Sequence, residues 1–318
     1  MSNDRYRYIF GPVMSRRLGR SLGVDVLPPK TCTYDCVYCQ LGLTTHQTAE
    51  RGEFVPLEVL LSELRRKLRE GCPLDFITVV GSGEPTLYSR LGEFIAAAKD
   101  LSDVPVAVIT NGSLLWRPEV RTELLQADLV IPSLDAGDAA MFHEINRPCA
   151  GIAFEQMVEG LVAFRREYPG QLWLEMLLLD GVADEQIGRI KVFAERIQPD
   201  RIQLNTALRP PAFSAVRPLS TDALRRTAAA LGERVELPAA VEAAEDSATR
   251  SATPGEVLNM LRRHPASVRE TAIHLSITEQ NARECIETLL NSGDIEAHRL
   301  ETGICYRART VCTDWRVN

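Results

Sequence analysis

The chain has 318 residues, 45% hydrophobic and 25% charged, with a formal net charge of −7, an ordinary globular composition long enough for two domains or for one large one with an appendage. That balance gives no general attraction to nucleic acid or to an anionic membrane. No apolar run approaches a membrane span, residues 1–10 lack the apolar core of a secretion signal, and eight cysteines, three of them bunched, fit a reducing interior, so a cytoplasmic location is expected.

Residues 10–20 are Gly-rich and basic, and Arg16, Arg17 and Arg20 stand open between a solvated turn and an anion-facing role. They lead into a first strand, 21–27, ended by Pro28-Pro29. Just beyond it Cys32, Cys36 and Cys39 have C-x3-C-x2-C spacing. Three thiols on a tight loop cannot close a four-thiolate tetrahedron. They can ligate three irons of a 4Fe-4S cube and leave the fourth iron open, and an open metal position marks chemistry rather than scaffolding. The alternatives are a zinc knuckle short of a ligand, with His46 the nearest histidine, and a thioredoxin-like pair of Cys36 and Cys39. The second does not explain Cys32.

A helical period follows at 56–69, with Leu57, Leu60, Leu61, Leu64 and Leu68 on one face. Strand 74–80 then runs into Gly81-Ser82-Gly83-Glu84-Pro85-Thr86. After helix 91–99, strand 104–109 runs into Thr110-Asn111-Gly112. After helix 118–126, strand 128–131 runs into Ser133-Leu134-Asp135. Helix 154–166, strand 172–178, helix 185–197 and strand 201–204 complete the series, which ends on Asn205-Thr206. The alternation predicts a parallel sheet with right-handed crossovers. The fold class expected is α/β, a partial (βα)6 TIM-like barrel. Reactive groups of βα barrels sit past the C-terminal strand ends, where these polar motifs stand, so they are expected to meet at one mouth. His143, a lone histidine on a flanking helix, reads as structural.

Helix 222–231 precedes an Ala/Glu/Ser-rich stretch, 233–253, that reads as a linker. Thr253-Pro254-Gly255-Glu256 is a helix start. Ser267 and Thr278 start two more helices, and 295–300 with 304–308, joined by Glu301-Thr302-Gly303, read as a hairpin. That order predicts a small C-terminal winged helix-turn-helix domain. The domains are then 1–232, the barrel; 233–253, the linker; and 254–318, the winged helix. From Pro254 onward eight arginines face nine acidic residues, and the third helix carries Glu279, Glu284 and Glu287 against Arg283. DNA binding is therefore not expected, and protein docking is favoured. Cys72, Cys149 and Cys285 read as isolated thiols, and Cys305 with Cys312 are too few for an auxiliary cluster.

The triple-cysteine spacing, with aromatic Tyr38 before its last cysteine, resembles the radical S-adenosylmethionine (SAM) superfamily. So do Gly83-Glu84-Pro85, Thr110-Asn111-Gly112 and Ser133-Leu134-Asp135 after successive strands. The resemblance implies a 4Fe-4S cluster on Cys32, Cys36 and Cys39. It implies that Gly83, Glu84 and Pro85 receive the SAM amino group, with Glu84 supplying a carboxylate. It sets Thr110, Asn111, Ser133, Asp135 and Asn205 around the ribose and methionyl carboxylate, and the Tyr38 backbone near the adenine. Reductive cleavage of SAM to a 5′-deoxyadenosyl radical, hydrogen abstraction from a substrate, and a flavodoxin- or ferredoxin-type electron donor come with it. Phe10-Gly11-Pro12-Val13, Ser21-Leu22-Gly23-Val24-Asp25, Phe142-His143-Glu144-Ile145-Asn146-Arg147-Pro148 and Arg209-Pro210-Pro211 resemble a small group related distantly to wyosine-type tRNA synthetases, which use a lysine near the site. Lys30 is the only lysine near the mouth. That resemblance implies a tRNA base as substrate. A peptide substrate, docked by the winged helix, and a cluster-bearing DNA-binding regulator are the alternatives.

Overall fold

The computed structural model describes residues 6–15, 17–237, 251–300 and 303–309. Arg16, Cys312, the turn residues Glu301 and Thr302, and residues 238–250 of the expected linker lie outside them. The chain opens with β1 (Ile9–Ser15) and β2 (Gly19–Val24). In the cysteine loop the two-residue strand β3 (Thr31–Cys32) pairs with β4 (His46–Gln47). Helix and strand then alternate: α1 (Leu57–Leu68), β5 (Phe76–Val79), α2 (Leu91–Leu101), β6 (Val106–Thr110), α3 (Pro118–Leu124), β7 (Leu129–Pro132), α4 (Ala139–Ile145), α5 (Phe154–Glu167), β8 (Gln171–Leu177), α6 (Asp184–Ile197), β9 (Arg201–Asn205), α7 (Thr221–Leu231) and β10 (Val235–Glu236).

The sheet runs β1-β2-β5-β6-β7-β8-β9-β10, and every pairing is parallel except β1 with β2. Strands buried on both faces read as apolar runs. Val106 and Val108 of β6 join the large core beneath the helices, while Ala107 and Ile109 turn to the other face. There Ala107 meets Leu129, Ile131, Trp173 and Leu18, which fill the barrel interior. Besides the short β3 and β4, two strands of the main sheet were not expected. β1 runs into the stretch read only as Gly-rich and basic; it is an edge strand, where Pro12 is tolerated, and its ladder shifts register between Phe10 and Val13. β10 falls inside the stretch read as linker and pairs with β9.

The C-terminal module is α8 (Pro254–Arg263), α9 (Val268–Leu275), α10 (Glu279–Ser292), β11 (Ile295–Leu300) and β12 (Gly303–Ala308), the last two an antiparallel hairpin. Thr253 and Ser267 each close a reciprocal capping box with the glutamate three residues on. Val257, Met260, Leu261, Ile286, Leu289 and Ile295 form the module's own core, and Val13 of β1 packs against it. No helix among the described residues is long and apolar enough to cross a membrane.

Candidate active site

The cysteine loop leaves the C-terminal end of β2 and lies against the loop that follows β5. Lys30 N donates to Ser82 O at 2.6 Å, and Glu84 N to Thr31 O at 3.1 Å. A Cβ on Gly83 would stand 1.8 Å from Thr31 O, so only glycine lets the two backbones meet this closely. Glu84 is buried and gathers four donors. Its Oε1 accepts from Thr86 N (3.0 Å), Thr86 Oγ1 (2.6 Å) and Thr110 Oγ1 (2.6 Å), and its Oε2 from Asn111 N (2.6 Å). Burial pushes its carboxyl above the ordinary range, against the pull of those donors. This carboxylate, the one expected to receive an ammonium group, also ties the loop after β5 to the end of β6. Pro85 starts the short 3-10 turn that Glu84 caps.

Asn111 carries the connection on to the cysteine loop, its Nδ2 lying 2.7 Å from Thr33 Oγ1 and 3.7 Å from Cys32 Sγ. A matching set forms on the other side. Asp135 accepts from Leu177 N (2.8 Å), from Asn146 Nδ2 (2.9 Å) and from the Tyr38 hydroxyl. Burial pushes its carboxyl to about 6, while these three donors hold it down. Asn146 Nδ2 also lies 3.1 Å from Tyr38 Oη and 3.7 Å from Cys36 Sγ. Deeper in the barrel, Glu175 receives Arg17 Nη1 at 2.5 Å and Asn205 Nδ2 at 3.2 Å. Ser133 joins this region through a backbone bridge to Glu175. Arg20 does not reach the mouth: it pairs with Asp75 (2.9 Å) just ahead of β5, at the opposite end of the strands.

The three cysteines are half-buried and unpaired. Burial pushes the Cys32 thiol up to about 12, Glu84's charge adding to it, and raises Cys36 well above its ordinary value. Bare, these two would keep their protons at neutral pH, and a bound metal replaces the proton. Among the described residues no three His, Cys, Asp or Glu side chains converge as a single-ion site. A cube spreads its thiolates over three different irons and asks for no such convergence. Each sulfur also has an N–H close by: Tyr34 N for Cys32 (3.5 Å), Asn146 Nδ2 for Cys36, and Lys30 Nζ for Cys39 (3.0 Å). Three thiols on one loop with amide and ammonium donors behind them fit a 4Fe-4S cluster with an open iron.

A cavity of about 360 Å³ opens from Cys36, Tyr38 and Cys39 into the barrel interior, past Glu175 and Asn205, and reaches Arg263, His264 and His274 of the module. Several of its determinants escaped the sequence reading. Asp25, at the end of β2, is fully buried and accepts from Ser82 N (2.9 Å), Ser82 Oγ (3.0 Å) and Arg263 Nε (2.6 Å). A lone acid closing an apolar strand was the available signal for it. Asn146 sat in a quoted motif without an assigned task. Glu175, Arg263 and the two histidines gave no local signal, because their partners are far away in the chain.

Comparison with known proteins follows that geometry. The family model described as "Radical SAM superfamily" matches residues 26–194. The UPF0026 protein of Helicobacter pylori (strain J99) is 35% identical over 301 residues, covering 93% of this chain and 96% of that one. A protein of Brachyspira hyodysenteriae named GTPase Obg is 39% identical over 299 residues, 92% of this chain but 44% of that one, so the chain spans less than half of that relative. Among solved structures, Streptococcus suis SuiB bound to precursor peptide SuiA has a TM-score of 0.52 at 16% identity, covering 69% of this chain and 49% of that one, a likeness of fold.

Proposed function

The chain belongs to the radical SAM superfamily and to the group of UPF0026 proteins, and on that premise we propose that its cysteine loop and the strand ends around it hold the cofactors whose radical would take hydrogen from a bound substrate. It is an enzyme of that superfamily, whose cofactors are a 4Fe-4S cluster and SAM and whose chemistry needs an electron donor. In this reading Cys32, Cys36 and Cys39 hold the cluster. Tyr38, Gly83, Glu84, Pro85, Thr110, Asn111, Ser133, Asp135 and Asn205 form the bed for SAM. When bound and reduced by a flavodoxin- or ferredoxin-type donor, these cofactors supply a 5′-deoxyadenosyl radical that can take a hydrogen atom from an unactivated C–H bond.

The chain's own residues orient and shield. Glu84 fixes the loop after β5 against β6, and Asn111 extends that frame to the Cys32 sulfur. Asp135 holds the Tyr38 hydroxyl and the Asn146 amide, so the second half of the cysteine loop is fixed to the ends of β7 and β8. Phe10, Leu18, Ile109 and Leu177 line the cavity with apolar surface that keeps water from the reacting atoms. One observation carries the reading. Asn111 and Asn146, 79 and 110 residues from the cysteines they approach, bring amide N–H groups to the sulfurs of one loop and hold its two halves to buried carboxylates.

Lys30, the lysine expected near the mouth, lies against Cys39 and does not line the cavity, which leaves a wyosine-type reaction without a lysine on the cavity wall. We read the described residues from 251 onward as a winged helix-turn-helix domain, and the barrel as reaching through β10 rather than stopping at residue 232. The test is anaerobic reconstitution followed by SAM and dithionite. Equal yields of methionine and 5′-deoxyadenosine are expected, and their absence from a cluster-loaded preparation would refute the reading.

A further inference from the structure

The eight-stranded sheet runs open from β1 to β10 and does not close into a barrel, and the C-terminal module is held at the β1 edge and at the loop after β9. On the β1 edge, Val13 packs into its core, Asn259 Nδ2 donates to Tyr6 O at 3.1 Å, and Arg263 reaches Asp25. Beyond β9, Arg209 is buried, donates to Pro265 O, and pairs with Glu270 at 2.9 Å. Held at β1 and at the loop after β9, the module places Arg263, His264 and His274 on the cavity that Cys36, Tyr38 and Cys39 also line. The two imidazoles meet edge to face at 4.7 Å.

We propose that the module is the substrate-selecting wall of the reaction chamber, and that the chamber takes a small neutral molecule against the face carrying His264 and His274 rather than an RNA or a folded protein. The proposal rests on the radical SAM reading of the cysteine loop. Size and charge argue for it. The cavity of about 360 Å³ must hold the reacting end of SAM as well as the molecule attacked. Each arginine of its lining already holds a carboxylate: Arg17 has Glu175, Arg209 has Glu270, and Arg263 has Asp25. Nucleic-acid binding draws on cations free to replace the counterions of phosphates, and these three are committed. The other polar groups of the lining are partnered as well: Ser21 Oγ with Thr78 Oγ1 at 2.6 Å, Asn205 Nδ2 with Glu175 at 3.2 Å, and His264 Nε2 with Arg209 Nη2 at 3.2 Å. Between them the lining is apolar, with Phe10, Val13, Leu18, Ile109 and Leu177, and a small molecule without net charge matches it.

The test uses the full-length, cluster-loaded enzyme with SAM and dithionite, reading 5′-deoxyadenosine. An extract of the source cells is divided into a deproteinised low-mass filtrate, bulk RNA and a protein fraction. The filtrate is expected to raise the yield severalfold over SAM alone. His274→Trp, which fills the wall, and His264→Ala are each expected to remove that rise. Iron content and the unfolding midpoint report whether each variant folds, and His274→Gln replaces any that does not. No rise with the filtrate, a rise confined to RNA or protein, or a rise that survives the histidine changes overturns the proposal. Failure of every arm to release 5′-deoxyadenosine, SAM alone included, would strike at the radical SAM reading instead.

Discussion

Glu84 and Gly83 are adjacent and act by opposite means, one by what it binds and the other by what it lacks. Glu84→Gln puts an amide NH2 where one carboxylate oxygen now accepts, and whichever way it turns it faces donors from Thr86 and Thr110 or from Asn111. Leaving buried donors unmatched costs about 3 kcal/mol, so a fall in the denaturant midpoint of that order is expected, with weaker retention of iron because Asn111 loses its anchor. An unchanged midpoint contradicts the role given to this carboxylate. Gly83→Ala drives a methyl into backbone at Thr31 and should part the two loops, abolishing iron uptake. Gly188 supplies the control. It is exposed in the middle of α6, and a Cβ there meets nothing within 4 Å. Gly188→Ala should stabilise by about 0.5–1 kcal/mol and leave iron uptake alone.

Among the elements, the regular ones were legible because each carries a period. The leucines of α1, the apolar runs of β5 to β9 and the capping boxes of α8 and α9 are local signals, and the structure forms these elements near the expected bounds. Convergence of Cys32, Glu84, Asn111 and Asp135 on one mouth followed from strand direction alone. What stayed hidden has its cause elsewhere in the chain. β1 is a strand because β2 offers it an edge, despite Gly11 and Pro12. Asn146 reaches Cys36 because α4 turns back over the cysteine loop. Arg17, left open between a solvated turn and an anion-facing role, is paired because Glu175 stands opposite it in the barrel. Side chains matched across more than a hundred residues leave no local trace.

The whole molecule depends on how the module is held. Asp25 and Arg263 form an ion pair buried on both sides. Breaking such a pair by removing one partner costs about 3–5 kcal/mol, while removing both is far milder. Arg263→Met should therefore destabilise strongly, and Asp25→Asn added to it should restore part of the loss. A double variant no better than the single one would show that the pair does not latch the module. Glu270 gives the same interface a pH dependence. Burial alone would raise its carboxyl, but Arg209's charge and the Ser267 donors bring it below the ordinary glutamate value. A depressed folded-state value adds stability above the unfolded value and loses it as pH falls through the lower one. Wild type should thus exceed Glu270→Gln in stability near neutrality, and the difference should shrink as pH falls below the ordinary glutamate range and on through the lowered folded-state value. Equal midpoints for the two proteins at pH 7 contradict this.

The account turns on which thiols hold the cluster, and iron counted per chain after anaerobic reconstitution tests it directly. Wild type should bind about four irons. Cys32→Ala, Cys36→Ala and Cys39→Ala should each lose most of the iron, whereas Cys72→Ala, Cys149→Ala and Cys285→Ala should keep it. Iron that persists without Cys32, Cys36 or Cys39, or that departs equally with the other thiols, contradicts the assignment.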